Sequence, residues 1–314
     1  MTDPRDGAST TAPPARREAV FLGIRYRPAE HQILHAFARD RLVIAAALLL
    51  LLLVACALCA DWITPVPATK QHVAARLTPP VWTTGGHLPY LLGTDRLGRD
   101  IYSVIVHGLR ISLLVGVLSA MLSMLAGVFL GLLAGYKRGA CETLIMRAVD
   151  IQLSLPTIMV ALCFIVMFGK GLLNMILVIA ITGWATYART VRGTVLSIRE
   201  KEYVESARAL GVGPLTMMLK YFLINAVSPI VVLAAVDIPR VILLESTLSF
   251  LGVGVPVTTP SLGLAIARGY EVLFSGKWWV SVFPGLMLMV LVGCINIFGD
   301  WLRDTLEPRA RKRF

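Results

Sequence analysis

The chain has 314 residues, of which 56% are hydrophobic and only 16% charged, and it carries a formal net charge of +11. Its mean hydropathy of +0.73 excludes a soluble domain of this size, and the apolar residues fall in blocks of about 20, the length a helix needs to cross a hydrocarbon core. The positive charge does not point to nucleic acid, because it gathers at the ends of apolar blocks and forms no soluble basic face.

Residues 1–17 carry Pro, Ser, Thr and Ala without periodicity and are expected to form a disordered cytoplasmic tail. Residues 29–41, AEHQILHAFARDR, place Ile33, Leu34 and Phe37 on one helical face, the pattern of a short interfacial helix. His31 and His35 stand at i and i+4, but no third ligand converges on them, so they read as a polar helix face and not a metal site. The tail and this helix, 1–41, precede a first span over 42–61. Its long polar lead argues for an uncleaved anchor, and Cys56 and Cys59 inside it read as small hydrophobes. Asp61 and Trp62 mark the outer interface.

Residues 62–110 read as an extracytoplasmic loop with a surface helix, and its first part, 63–92, shows no core of its own. In the run Leu92 to Asp100, Thr94 or Asp95 is placed to cap a helix, and Arg96 and Asp100 have the spacing of an i,i+4 pair. Asp95, Arg96, Gly98, Arg99 and Asp100 therefore read first as a capped helix start, with contact to an external partner or a gate as the functional alternative.

A core over 111–302 follows. The second span, Ile111 to Gly135, carries Gly127, Gly131 and Gly135 on one face, which should pack closely against another helix. The third span, Thr143 to Phe168, is expected to kink at Pro156 and to pair Asp150 with Arg147. After the turn Gly169–Gly171, Leu172 to Tyr187 returns inward. A polar island at 189–225 then holds a helix from Arg199 to Leu210, with Val204, Ala207 and Leu210 near one face. Gly211 and Gly213-Pro214 stop it, and a second helix from Leu215 leads into the next span, making a rigid elbow.

The fifth span, Ala226 to Leu248, contains Asp237, Pro239, Arg240 and Glu245. Charges at that depth are costly, so they either pair with one another or line a hydrated path. Ser249 to Gly276 reads as an outer loop with a short helix near 265–273. Trp278 and Trp279 mark the interface before the sixth span, Val280 to Phe298, and 303–314 is a basic cytoplasmic tail. This topology puts about 21 of the 30 basic residues on one side, with both termini cytoplasmic. The expected fold is an all-α polytopic membrane protein of six transmembrane helices. No G-x-x-x-x-G-K-[ST] phosphate loop or nucleophile motif occurs, so the chain is read as no enzyme.

Glu205-Ser206-Ala207 with Gly211 resembles the E-A-A-x-x-x-G core of the cytoplasmic loop of ABC importer permeases. The family often ends this motif with I-x-L-P, where Tyr221-Phe222-Leu223-Ile224 keeps only the leucine. LGTDRLGRDIYSVIVHGLRIS from Leu92, ESTLSFLGVG from Glu245, and Gly299-Asp300-Trp301-Leu302-Arg303-Asp304 with Pro308-Arg309 are similar, in order, to the second permease subunit of the dipeptide/oligopeptide family. The resemblance implies the type I ABC importer permease fold in a bacterial cytoplasmic membrane. It assigns ATPase coupling to Glu202, Tyr203, Glu205, Ala207, Arg208, Ala209, Leu210 and Gly211, with Ala207 leaving room in the partner's groove. It also implies a second homologous permease subunit, two ATP-binding subunits that hold ATP and Mg, and a solute-binding protein, with no cofactor in this chain. Peptides are the expected cargo, with nickel chelates or glutathione as alternatives. An ion-coupled carrier using Asp237, Arg240 and Glu245 is the alternative of a different class.

Overall fold

The computed structural model describes residues 20–21, 24–25 and 40–306, in two compact units, 1–41 and 42–314. In the first unit, β1 (Val20–Phe21) and β2 (Ile24–Arg25) pair antiparallel, with Val20 opposite Arg25. The interfacial helix, His31, His35 and the basic tail from Arg309 lie outside the described residues.

The second unit is helical. Its elements are α1 (Arg41–Leu58), α2 (Ala60–Ile63), α3 (Ile101–Lys137), α4 (Gly139–Ser154), α5 (Thr157–Phe168), α6 (Leu172–Arg199), α7 (Glu202–Ala209), α8 (Pro214–Phe250), α9 (Leu262–Leu273) and α10 (Trp279–Leu306). Among the described residues, α1, α3, α6, α8 and α10 are long and apolar enough to cross a membrane. The number becomes six if α4 and α5 count as one span bent by 97°.

Pro156 therefore breaks the expected third span outright. Proline removes a backbone donor and drives the residue before it out of the helical region, and Leu155 is extended at φ −97°, ψ 140°. The second span is also longer than expected. Because Asp100 caps at residue 101 and nothing interrupts the chain before Lys137, the surface helix and the span are one helix of 37 residues, about 55 Å.

A seam of small residues on α3 holds the bundle together. Towards the C-terminal end of α3, a Cβ on Gly131 would meet the Ala188 carbonyl oxygen at 2.7 Å and Val191 Cβ at 2.8 Å. One on Gly135 would meet Val195 Cβ at 2.7 Å. The backbones of α3 and α6 can touch there only because no side chain intervenes. Further up, Ser119 and Ser123 donate hydrogen bonds to the Ile176 and Ala180 carbonyls, at 3.3 and 3.1 Å. Still higher, Gly116 packs under Ile242 of α8, with 2.6 Å from a built Cβ to Ile242 Cγ1.

The segment between α2 and α3 is not the coreless loop its composition suggests. Residues 77–81 and 91–95 run antiparallel, with Thr94 N–H donating to Thr78 O at 2.9 Å and Leu77 N–H to Asp95 O at 3.1 Å. Leu77 and Leu92 pack on a cluster of Ile101, Ile105, Leu262, Val272, Trp279 and Val280, which ties the segment to α3, α9 and α10. The apolar residues that do this are spaced irregularly, so no periodicity announces them.

Candidate functional site

The elbow is a short helix standing on a buried root. In α7, Val204 and Ala207 are buried and join Val195, Ile198, Met217 and Phe222 in one apolar cluster. Glu202, Tyr203, Glu205, Ser206, Arg208 and Ala209 are exposed. Ala207 thus faces its own bundle, and its small size serves that packing. Leu210 also departs from the expected face. The helix ends at Ala209, and the chain turns away before Leu210 can join Val204, leaving it 84% exposed.

Gly211 makes that turn. At φ +75° it sits in the left-handed region, its N–H donates to Arg208 O at 3.0 Å, and Val212 N–H reaches back to Ala207 O at 3.1 Å. This paired closure satisfies the last carbonyls of the helix and needs a residue without a Cβ penalty at its centre. Beyond it, α8 starts at Pro214, passes through a π-helical stretch over Met217–Leu223 and continues across Ile224 without a break. Tyr203 stacks on Tyr221, with ring centroids 6.4 Å apart. Arg199 donates to Tyr136 O at 2.9 Å, tying the foot of the elbow to the C-terminal end of α3.

Two ion pairs above the elbow join α4 to α6. Arg192 meets Glu142 at 2.5 Å and Arg189 meets Asp150 at 2.5 Å. Asp150 therefore pairs across the bundle and not with Arg147, because the break at Pro156 lays α4 against α6.

The three charges of α8 separate into two environments. Asp237 is buried, accepts from the Tyr187 hydroxyl at 3.2 Å and lies 3.9 Å from Arg240. Arg240 is exposed along the same helix and donates to Thr157 Oγ1 at 3.4 Å. Glu245 is 0% exposed. Its carboxylate accepts from Ser249 and Ser261 on one oxygen, at 2.8 and 3.0 Å, and from Ser112 and Ser246 on the other, at 3.0 and 3.2 Å. Four hydroxyls from α3, α8 and the start of α9 replace the water a buried carboxylate would lose. The structure brings Asp237 and Arg240 together and seals Glu245 away from the surface they reach. Ser246 and Ser249, following Glu245 in sequence, were the available signal for this, but the partners from 112 and 261 were not.

At the opposite end from the elbow, the Asp95–Asp100 run folds as a turn followed by a cap. Asp95 accepts the backbone N–H groups of Leu97 and Arg99 at 2.8 and 2.9 Å, and holds the Arg99 guanidinium at 2.8 and 2.5 Å. Gly98, at φ +72°, lets the turn pass against His72. Asp100, and neither Thr94 nor Asp95, caps α3, accepting from Ser103 N–H at 3.0 Å and Ser103 Oγ at 2.6 Å. Burial pushes the Asp100 carboxyl above the usual range, against the pull of those Ser103 bonds. Arg96 pairs with Glu271 of α9 and not with Asp100, since the helix that would have aligned them starts only at residue 101. Nearby, Asp61 accepts from Arg110 at 2.9 Å and His107 at 3.2 Å, and those hydrogen bonds hold its carboxyl below the usual range.

Residues 127–312 match the family model described as the binding-protein-dependent transport system inner membrane component, and residues 31–80 match the N-terminal TM domain of oligopeptide transport permease C. The chain is 40% identical to the di/tripeptide transport system permease protein DppC of Pseudomonas aeruginosa (strain UCBPP-PA14), over 88% of this chain and 91% of that one. It is 34% identical to the dipeptide transport system permease protein DppC of Haemophilus influenzae, over 88% and 93%. The glutathione transport system permease protein GsiD of Pectobacterium atrosepticum is 36% identical, over 88% and 89%. Among solved structures, a chain of the MetNI methionine ABC transporter in inward-facing conformations is similar in fold, with a TM-score of 0.53 and 22% identity, covering 65% of this chain and 96% of that one.

Proposed function

Because the chain belongs to the family of binding-protein-dependent transport system inner membrane components, we propose that it is the second permease subunit of an ABC importer that carries short peptides into the cytoplasm. It is a multi-pass protein of the bacterial inner membrane, as its family and its apolar helices require. Relatives named for dipeptides and di/tripeptides, at 34% to 40% identity over most of the chain, support the cargo. The relative named for glutathione, itself a tripeptide, supports a second reading in which that one peptide is the substrate.

We further propose that α4 and α5 together form the third of six spans and that both termini are cytoplasmic, on the strength of the basic residues flanking the spans. A second homologous permease, two ATP-binding subunits and an extracytoplasmic solute-binding protein complete the machine. ATP and Mg belong to the ATP-binding subunits. Closure of those subunits pushes on the elbow, and the rigid link from α7 through α8 turns the bundle between inward-facing and outward-facing states. The exposed face of α7, with Glu202, Tyr203, Glu205, Arg208 and Ala209, and Leu210 just past its end, held over a buried root, is the observation that carries this reading. Asp237 and Arg240 stand beside the path, and Arg96, the exposed residue of the Asp95–Asp100 turn, is the one available to the solute-binding protein. In cells making Gly211→Asp, labelled dipeptide uptake should fail while the complex still reaches the membrane. Unimpaired uptake would count against docking through the elbow.

A further inference from the structure

Of the charged residues of α8 beyond Lys220, only Arg240 is exposed. Its neighbours on the same face are Val236, Leu243, Thr247 and Phe250, each exposed and four, three, seven and ten residues away. The face is an exposed stripe of three apolar residues and one threonine that carries a single guanidinium. Its depth follows from the packing. Glu245 meets Ser112 of α3 and Ile242 meets Gly116, so Arg240 lies level with residues just beyond Gly116. Gly116 is six residues, about 9 Å, below Arg110. Arg110 and its partner Asp61 sit where α1 ends. Along its own helix Arg240 is about 15 Å short of Phe250 at that same end, and in the other direction 26 residues, about 39 Å, separate it from Pro214 at the elbow. A guanidinium so far from a helix end cannot snorkel to the interface, and the cost of presenting it to lipid directs this face to water or protein.

The guanidinium is also loosely held. Its neighbours are Asp237 at 3.9 Å and Thr157 Oγ1 at 3.4 Å, while Asp237 is itself buried and bonded to Tyr187. The planar fork that binds a carboxylate with two parallel hydrogen bonds is therefore still available. We propose that Arg240 binds the α-carboxylate of the peptide during passage, the one anionic group that every linear peptide presents regardless of its side chains. Asp237 keeps the fork from folding onto another acceptor and is a positioning residue. This rests on the peptide-import reading above, and it separates Arg240 from Glu245, whose carboxylate is fully occupied by serines.

The test uses the complete transporter in liposomes, with both permeases, the ATP-binding subunits and saturating solute-binding protein. Uptake of a labelled dipeptide is compared for the unaltered chain, Arg240→Lys, Arg240→Gln and Arg240→Ala, after size-exclusion chromatography shows each complex intact. Arg240→Gln should lower the maximal uptake rate by about tenfold or more, the scale of a charge-assisted hydrogen-bond pair. Arg240→Lys should fall between, since it keeps the charge without the fork. Free guanidinium added to Arg240→Ala should restore uptake, a response that a purely structural role would not give. The proposal is overturned if Arg240→Gln transports within about twofold of the unaltered chain, or if guanidinium leaves Arg240→Ala unchanged. It is also overturned if a C-terminally amidated dipeptide and its free acid lose uptake in equal proportion. Failure of the unaltered transporter to take up any peptide would strike at the peptide-import reading instead.

Discussion

Glu245 and Asp95 are both buried carboxylates, but they are satisfied in different ways, and the difference sets what their loss should cost. Asp95 holds Arg99 in a pair whose side chains are 5% and 6% exposed, so Asp95→Ala would strand a buried cation. The expected loss is about 3–5 kcal/mol, read as a lowered thermal denaturation midpoint of the purified complex. Glu271→Ala removes a partner from a pair that is 54% and 59% exposed, and should cost less than about 1 kcal/mol in the same measurement. Ser261→Ala should fall between them, at about 1–3 kcal/mol, because one of four donors to a buried carboxylate is lost. Equal effects for Asp95→Ala and Glu271→Ala would contradict the contrast. At this scale the sequence identifies which residues carry charge and leaves their pairing open. Arg96 and Asp100 have helical spacing but sit before the helix, and Asp150 finds Arg189, which is distant in sequence and close only after folding.

The α3–α6 contact and the break at Pro156 are properties of whole elements. Gly127, Gly131 and Gly135 were legible as a packing face because their four-residue spacing needs no knowledge of the partner. The serines that extend the seam, Ser112, Ser119 and Ser123, were not, since a serine is equally at home on a polar face. Gly131→Val should overpack the seam against Ala188 and Val191 and destabilise the complex by about 1–3 kcal/mol or more. Gly193→Ala, on α6 with open space beside it, should be neutral or stabilise by about 0.5–1 kcal/mol. Comparing thermal unfolding of the two variants checks this, and tolerance of Gly131→Val would remove the seam from the explanation. The bend at Pro156 could be anticipated in position but not in extent. Proline dictates that a helix cannot run straight through, and the pairing of Glu142 and Asp150 with α6 fixes α4 at 97° to α5. The elbow was legible from Gly211 and Gly213-Pro214. The faces of α7 are less legible, because the helix is two turns long and its end at Ala209 decides where Leu210 goes.

For the molecule as a whole, the chain supplies helices, an elbow and an exposed, mostly apolar stripe on α8 with Arg240 in it. The elbow needs a surface to push against, the stripe needs water or protein in front of Arg240, and the transport cycle needs an ATPase. Those requirements agree with the proposed role as one part of a larger assembly, in which α7 is the element expected to meet the ATP-binding subunits. Reconstituted with its partners in liposomes, the transporter should take up labelled dipeptide only when ATP is supplied to the ATP-binding subunits. Leu210→Asp, which places a charge on the exposed apolar tip of the elbow, should lower both uptake and peptide-stimulated ATP hydrolysis by about tenfold or more, the scale expected when a central interface anchor is lost. Uptake driven by an ion gradient without ATP, or uptake unchanged by Leu210→Asp, would contradict an elbow-coupled importer.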